Sequence, residues 1–222
     1  MMPLALLQLC DSLFPIGGFA HSDGLEAAVA EGRVTSGLEL RTWIDTVLSE
    51  SLRHVDGPAV LLAWKAMTGG RVEDLRALDE EMHAVRPSST ARTASRAMGA
   101  RLLATWREIH PEQMLQVEQG ARLTLPVAFG VVCAASQVES RDAVESFMYT
   151  RLSATVSSAM RLMPIGQIEA HALLARTLAQ VPGVRADIES SIARGERPGA
   201  FAPAFDLATM EQQYVGSRLF LS

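Results

Sequence analysis

Phe14-Pro15-Ile16-Gly17-Gly18-Phe19-Ala20-His21-Ser22-Asp23-Gly24-Leu25-Glu26 separates two short apolar segments, Leu4 to Leu9 and Leu25 to Val29. Pro15 fixes its own φ and pushes Phe14 out of the helical region, so a first helix is expected to end there. Gly17 and Gly18 permit backbone angles that other residues resist. Asp23 occupies an N-cap position with Glu26 three residues on, the pattern of a capping box. The stretch therefore reads as helix, tight glycine loop, capped helix. An ordinary interhelical turn needs neither Phe19 nor His21. A loop that presents such groups on a rigid helical frame is a common recognition site.

Outward from this stretch, apolar residues recur at helical spacing almost everywhere. Leu38, Trp43, Ile44, Val47, Leu48 and Leu52 form one stripe, behind a Ser36/Glu39 capping box. Asp56-Gly57-Pro58 reads as the start of the next helix, with proline at an early position. Val72 to Val85 follows and Pro87 stops it; Ser88 or Ser89 then caps a long helix to about Ile109. Met114 to Gly120 reads as a weak helical turn or short helix. Pro126 to Ser136 is apolar nearly all round and is expected at the centre of the core. Ser140 or Arg141 opens another long helix, broken at Pro164-Ile165-Gly166. Ile168 to Val181 is expected to be helical and bounded by Pro182-Gly183, with a last short helix from about Val184 to Ala193. No hairpin signal, repeat or low-complexity linker occurs. The expectation is an all-α fold: one domain of about ten helices over residues 1–194 and a less regular tail, 195–222.

The chain has 222 residues, 48% of them hydrophobic and 20% charged, which suits a globular domain with a real core. A net charge of −5 argues against nucleic acid as a partner. No apolar run reaches the roughly 18 to 20 residues of a membrane helix, and the N-terminal residues lack a signal-peptide pattern. Cys10 and Cys133 are expected as buried free thiols in a reducing cytoplasm.

No catalytic constellation stands out. His21, His54, His83, His110 and His171 share no i, i+3 or i, i+4 spacing, so no preformed metal cage and no bound cofactor are expected. His21-Ser22-Asp23 has the residue types of a hydrolase triad, but triads are assembled from separate places in a fold. Phosphate-binding glycine loops are absent. Asp79-Glu80-Glu81 reads as a solvated face, with a divalent-cation site as the minor alternative. From Met82 to Arg107 there is no acid, and at ~100° per residue Arg92, Arg96 and Arg107 share one side of a helix. That side is either solvated or a docking face for an acidic protein. In the tail, Phe201, Phe205, Tyr214, Leu219 and Phe220 are many large apolar groups for a segment rich in proline and glycine. Burying each is worth about 1.5–3 kcal/mol, against roughly 1–2 kcal/mol per residue of backbone ordering. The tail is therefore expected to be weakly held in the free chain and ordered by a partner.

Leu7-Gln8-Leu9, the proline-glycine-glycine-aromatic turn and Ser22-Asp23-Gly24-Leu25-Glu26 resemble the N-terminal signature of the urease accessory protein family UreF. Arg92-Thr93-Ala94-Ser95-Arg96-Ala97-Met98-Gly99-Ala100-Arg101-Leu102-Leu103 resembles the family's central helix. Arg161-Leu162-Met163-Pro164-Ile165-Gly166-Gln167 resembles its proline-glycine break. The tail is similar to its Glu-x-x-Tyr…Arg-Leu-Phe-x-Ser ending, although Met210 replaces the usual His and Val215-Gly216-Ser217 lengthens the spacing before Arg218.

The resemblance implies a non-catalytic, cytoplasmic, all-α homodimer. Such a protein bridges UreD (also called UreH) and the GTPase UreG in the complex that delivers nickel to apo-urease, and is proposed to modulate the GTPase. By the same resemblance, Phe19, His21, Ser22, Glu26, Arg92 and Arg96 fall on the UreG side. Phe201, Phe205, Tyr214, Arg218, Leu219 and Phe220 fall on the UreD side. The competing reading is a small all-α hydrolase or metal carrier using His21 and the Asp79–Glu81 run, which requires those groups to converge.

Overall fold

In the computed structural model, which describes residues 4–199 and 202–222, helix follows helix and no strand occurs among the described residues. The elements are α1 (Leu4–Leu9), α2 (Leu25–Ala30), α3 (Gly37–Thr46), α4 (Gly57–Thr68), α5 (Asp74–Ala84), α6 (Ser89–Ile109), α7 (Leu125–Ala135), α8 (Ser140–Leu162), α9 (Gln167–Leu178), α10 (Val181–Ala193) and α11 (Pro203–Glu211). Short 3₁₀ turns cover Gly18–Ala20 and Gln212–Tyr214.

The all-apolar helix is central, as its composition demands. Residues Leu125 to Cys133 of α7 are buried on every side, among α4, α5, α6 and α8. Gly130 sets how closely α4 and α7 approach: a Cβ there would lie 2.5 Å from the Val60 carbonyl oxygen and 2.8 Å from Ala63 Cβ. Trp106 and Phe147 are fully buried from the flanking helices, and Phe129 meets Phe147 edge-on at 5.2 Å.

Several local signals act as the sequence suggests. Ser36 and Glu39 form the reciprocal capping box at α3. Ser88 caps α6, accepting from Ala91 N. The two cysteines are free; burial pushes the Cys10 thiol up to about 11 and raises that of Cys133 well above the usual thiol range.

Three local expectations are corrected. Asp23 caps nothing: its backbone is left-handed at φ 52, and its carboxylate pairs with Arg151 of α8. Gly24, at φ 84, takes the N-cap position of α2 instead. Met114 to Gly120 is not helical, and two of its carbonyls are taken up by a side chain of α6. Arg107 donates to the Val117 and Glu118 carbonyls at 2.6 and 3.0 Å, and Gln113 Oε1 accepts from Trp106 Nε1 at 3.0 Å. Pro182-Gly183 does not bound the preceding helix but lies in the first turn of α10, where a missing proline N–H costs little.

At Asp56-Gly57-Pro58 α4 begins as expected, with Pro58 in its first turn, but no loop precedes it. The rod from Gly37 to Thr68 is continuous, and Val47–Asp56 is π-helical between α3 and α4. A proline inside a helix removes one bond and crowds the carbonyl four residues back. Pro58 cannot donate to the His54 carbonyl; Gly199 N, at the start of the tail, does so at 2.8 Å. The Gly57 amide bonds back to Leu52, five residues earlier, as a π turn requires.

Candidate functional site: the joint between the glycine loop and the tail

The glycine loop and the end of the chain meet. Leu221 N donates to the Ala20 carbonyl at 2.7 Å and Ser22 N to the Ser222 carbonyl at 2.5 Å, a short backbone ladder. His21 Nδ1 lies 2.6 Å from Ser222 Oγ. Glu26, 4% exposed, is the anchor beneath. Its carboxylate accepts from Leu219 N at 2.6 Å, Phe220 N at 3.2 Å and Gln212 Nε2 at 2.5 Å. Gln212 Oε1 in turn accepts from Ala27 N at 3.1 Å. Phe220, 2% exposed, is covered by the Arg161 guanidinium, 4.3 Å from its ring centre.

Arginines frame the loop from behind. Arg161 donates to the Phe19 carbonyl at 3.0 Å and Arg101 to the Ile16 carbonyl at 3.2 Å. At Gly24 a Cβ would come within 2.7 Å of Thr209 N, so α11 can lie against the start of α2 only because no side chain is there. Phe205 of α11 packs on Trp43 of α3 at 5.3 Å. Thr209 also accepts, through its carbonyl, from Ser88 Oγ at 3.0 Å.

The tail expectation is therefore corrected: in the free chain the tail folds back and is held. Area bookkeeping missed the reason, which is Glu26. It satisfies two tail amides and a buried glutamine at once, and charged acceptors make the stronger hydrogen bonds.

The residues expected to meet UreG divide. Phe19 is 73% exposed at the lip of the loop. Ser22 and Glu26 are buried and face the tail. His21 is half-buried, and burial, opposed by Asp23 and reinforced by Arg151 and Arg101, holds its imidazole below the ordinary range. Arg92 bonds the Arg86 and Pro87 carbonyls at 2.7 and 2.8 Å, and Arg96 pairs with Asp79 at 3.1 Å. The arginine side of α6 thus serves largely its own chain.

On the tail, Phe205 is half-buried, Tyr214 is 80% exposed, and Arg218 and Leu219 are exposed. Phe201 lies outside the described residues. Sequence reading missed Gln212, Arg161 and Arg151, whose roles depend on contacts across the fold. An open groove remains in front of the joint, lined by Phe19, His21, Thr93, Ala97, Arg101 and Leu221.

The groups needed by a hydrolase or metal carrier do not converge. Asp79 is committed to Arg96 and to Thr124 N at 2.6 Å, and Glu81 pairs with Arg197. Among the described residues no three His, Cys, Asp or Glu side chains are placed to share a metal ion.

The class that the fold and the joint define is an all-helical domain with a glycine loop bonded to its own tail. The comparisons give that class a family. The family model for UreF matches residues 34–178, and the chain belongs to the UreF family of urease accessory proteins. The matched span leaves out both partners of the joint, but the similarity to individual relatives includes them. The chain is 29% identical to the urease accessory protein UreF of Actinobacillus pleuropneumoniae, over 98% of each chain. It is 29% identical to the UreF of Bacillus sp. (strain TB-90), over 99% of this chain and 98% of that one. With the UreF of Paenarthrobacter aurescens (strain TC1) the identity is again 29%, over 99% and 97%.

Proposed function

We propose that this chain is a non-catalytic adaptor in urease maturation. It bridges UreD and the GTPase UreG in the complex that supplies nickel to apo-urease, and modulates the GTPase while holding no cofactor of its own. The observation that carries this reading is the exposed Phe19 at the lip of the groove where loop, α6 and tail meet. A large aromatic side chain held in solvent by a braced loop suits a partner's pocket, since interface energy concentrates in such anchors.

In this reading Phe19 and the groove face UreG, and the exposed flank of the tail, with Tyr214, Arg218 and Leu219, faces UreD. The buried Ser22 and Glu26 hold the two surfaces in register and touch neither partner.

Pull-down with purified partners tests this. Phe19→Ala is expected to weaken UreG recruitment at least about tenfold, in the range of an interface hot spot, with an unchanged helical spectrum. Removal of Gly216–Ser222, which leaves α11 in place, is expected to abolish UreD binding. Retention of UreG by the first variant, or of UreD by the second, refutes the assignment.

A further inference from the structure

Two ion pairs from distant parts of the chain face one small cavity. Asp23, on the glycine loop, pairs with Arg151 of α8; Asp56, the last residue of the π segment, pairs with Arg86 between α5 and α6. All four side chains line an interior space of about 30 Å³. Ser95 of α6 completes its polar wall, and the rest of the wall is apolar side chains of α6, α7 and α8. Asp206 of α11 meets Arg86 in a neighbouring pocket and does not line this one.

Two donors on this wall are not used up by the protein. Arg86 Nε is buried and has no acceptor among the described residues. Ser95 Oγ accepts from Leu125 N at 3.1 Å, which leaves its own proton to give. Acceptors are at hand too. Asp56 takes Arg86 on Oδ1 and Ser51 Oγ on Oδ2 at 3.3 Å, and each carboxylate oxygen has a second lone pair.

We propose that this cavity is a water site: one bound water, or two at most, joins the Asp23–Arg151 and Asp56–Arg86 pairs into a single network. The charges decide the class of ligand. Each carboxylate is already neutralised by a guanidinium, so the wall as a whole is neutral. A cation would face two guanidinium groups and an anion two carboxylates, at short range in an interior that screens charge poorly. A small neutral molecule that both accepts and donates suits the wall: it accepts from Arg86 Nε or Ser95 Oγ and donates to Asp23 or Asp56. Volume then selects water, which needs about 10–15 Å³ of such space and makes about three hydrogen bonds when buried.

The network joins parts of the chain that do not otherwise share a polar contact here. Asp23 belongs to the loop and Asp56 ends the π segment, whose His54 carbonyl holds Gly199 at the start of the tail. A shift of the loop that moves Asp23 changes the hydrogen bonds open to the water, and with them those of Asp56. The consequence for partners rests on the adaptor reading above: a partner seated on the loop would be felt in the rod.

Two measurements on the full-length chain, with no partner present, test the site apart from that reading. A crystal structure that resolves ordered water is expected to show water density in the cavity, within hydrogen-bond distance of Arg86 Nε and of Asp23 or Asp56. A double-mutant cycle with Asp23→Asn and Asp56→Asn is expected to depart from additivity by at least about threefold in the unfolding constant, as networked sites do and independent ones do not. Asparagine keeps the shape at both positions and tolerates the left-handed backbone at Asp23. A cavity without density, density that refines as an ion, or additive effects of the two substitutions overturns the proposal. If a variant fails to fold, the density in the wild type decides.

Discussion

Glu26 makes two roles for one side chain visible. Leu25-Glu26 is the start of a helix by local pattern, and Glu26 does lie in the first turn of α2. Its carboxylate, however, faces away from the helix's own amides and toward the tail. Truncation to alanine would strand two tail amides and the Gln212 side-chain amide. Loss of hydrogen bonds to a charged group costs about 1.5–3 kcal/mol each, more than a terminal segment can absorb while staying docked. Glu26→Ala is thus expected to free residues 212–222 while α7 stays folded. Hydrogen exchange should show rapid exchange at Leu219 and Phe220 with unchanged protection from Val127 to Val132.

Residues that act within a turn of themselves were legible, as Ser36 with Glu39 illustrates. Asp23 was not, since three atoms of carboxylate suit a cap or an ion pair equally. Only the position of Arg151, 128 residues away, decides between them.

At the scale of elements, the apolar period placed the helices and the uniform hydrophobicity of α7 placed the centre. The interruptions were harder to read. Proline marks a helix start more often than a helix interior; at Pro58 an α-helix does start, but π turns carry the rod straight into it without a loop. Gly199 takes the carbonyl that Pro58 cannot serve. The π segment thereby fastens the beginning of the tail as Glu26 fastens its end. Pro58→Ala would restore an amide in competition with Gly199. The expected result is a rod with more regular α-helical bonding and a looser segment at Gly195–Gly199. Limited proteolysis should then cut near Arg194 or Arg197 several-fold faster, with the thermal midpoint shifted by no more than a few degrees, as about 1 kcal/mol would do.

For the whole molecule, the fold class and the family were both readable, because each is written in many independent positions. The closed joint was not. Glu26 meets its partners across 186 to 194 residues, and no local periodicity reports a contact of that separation. No described helix is long and apolar enough to cross a membrane. Exposed apolar side chains remain, among them Leu4, Leu13, Leu38 and Ile168. The family resemblance leads us to expect a homodimer; light scattering at micromolar concentration should give twice the mass of the 24.0 kDa chain, and a monomer would refute it.

The ladder between Ala20–Ser22 and Leu221–Ser222 also has a competitive meaning. A tethered segment faces its binding groove at an effective concentration on the order of millimolar. Any outside strand that seeks the same loop amide and carbonyl meets a site that is already occupied. Its apparent Kd is the intrinsic one divided by the fraction of time the tail is away, so a tail that is away about one time in a hundred weakens such a rival about a hundredfold. A synthetic peptide of residues 211–222 should accordingly give no heat of binding with the intact chain in calorimetry, and should bind once those residues are removed from the protein. The loop is, in this sense, a receptor that carries its own ligand.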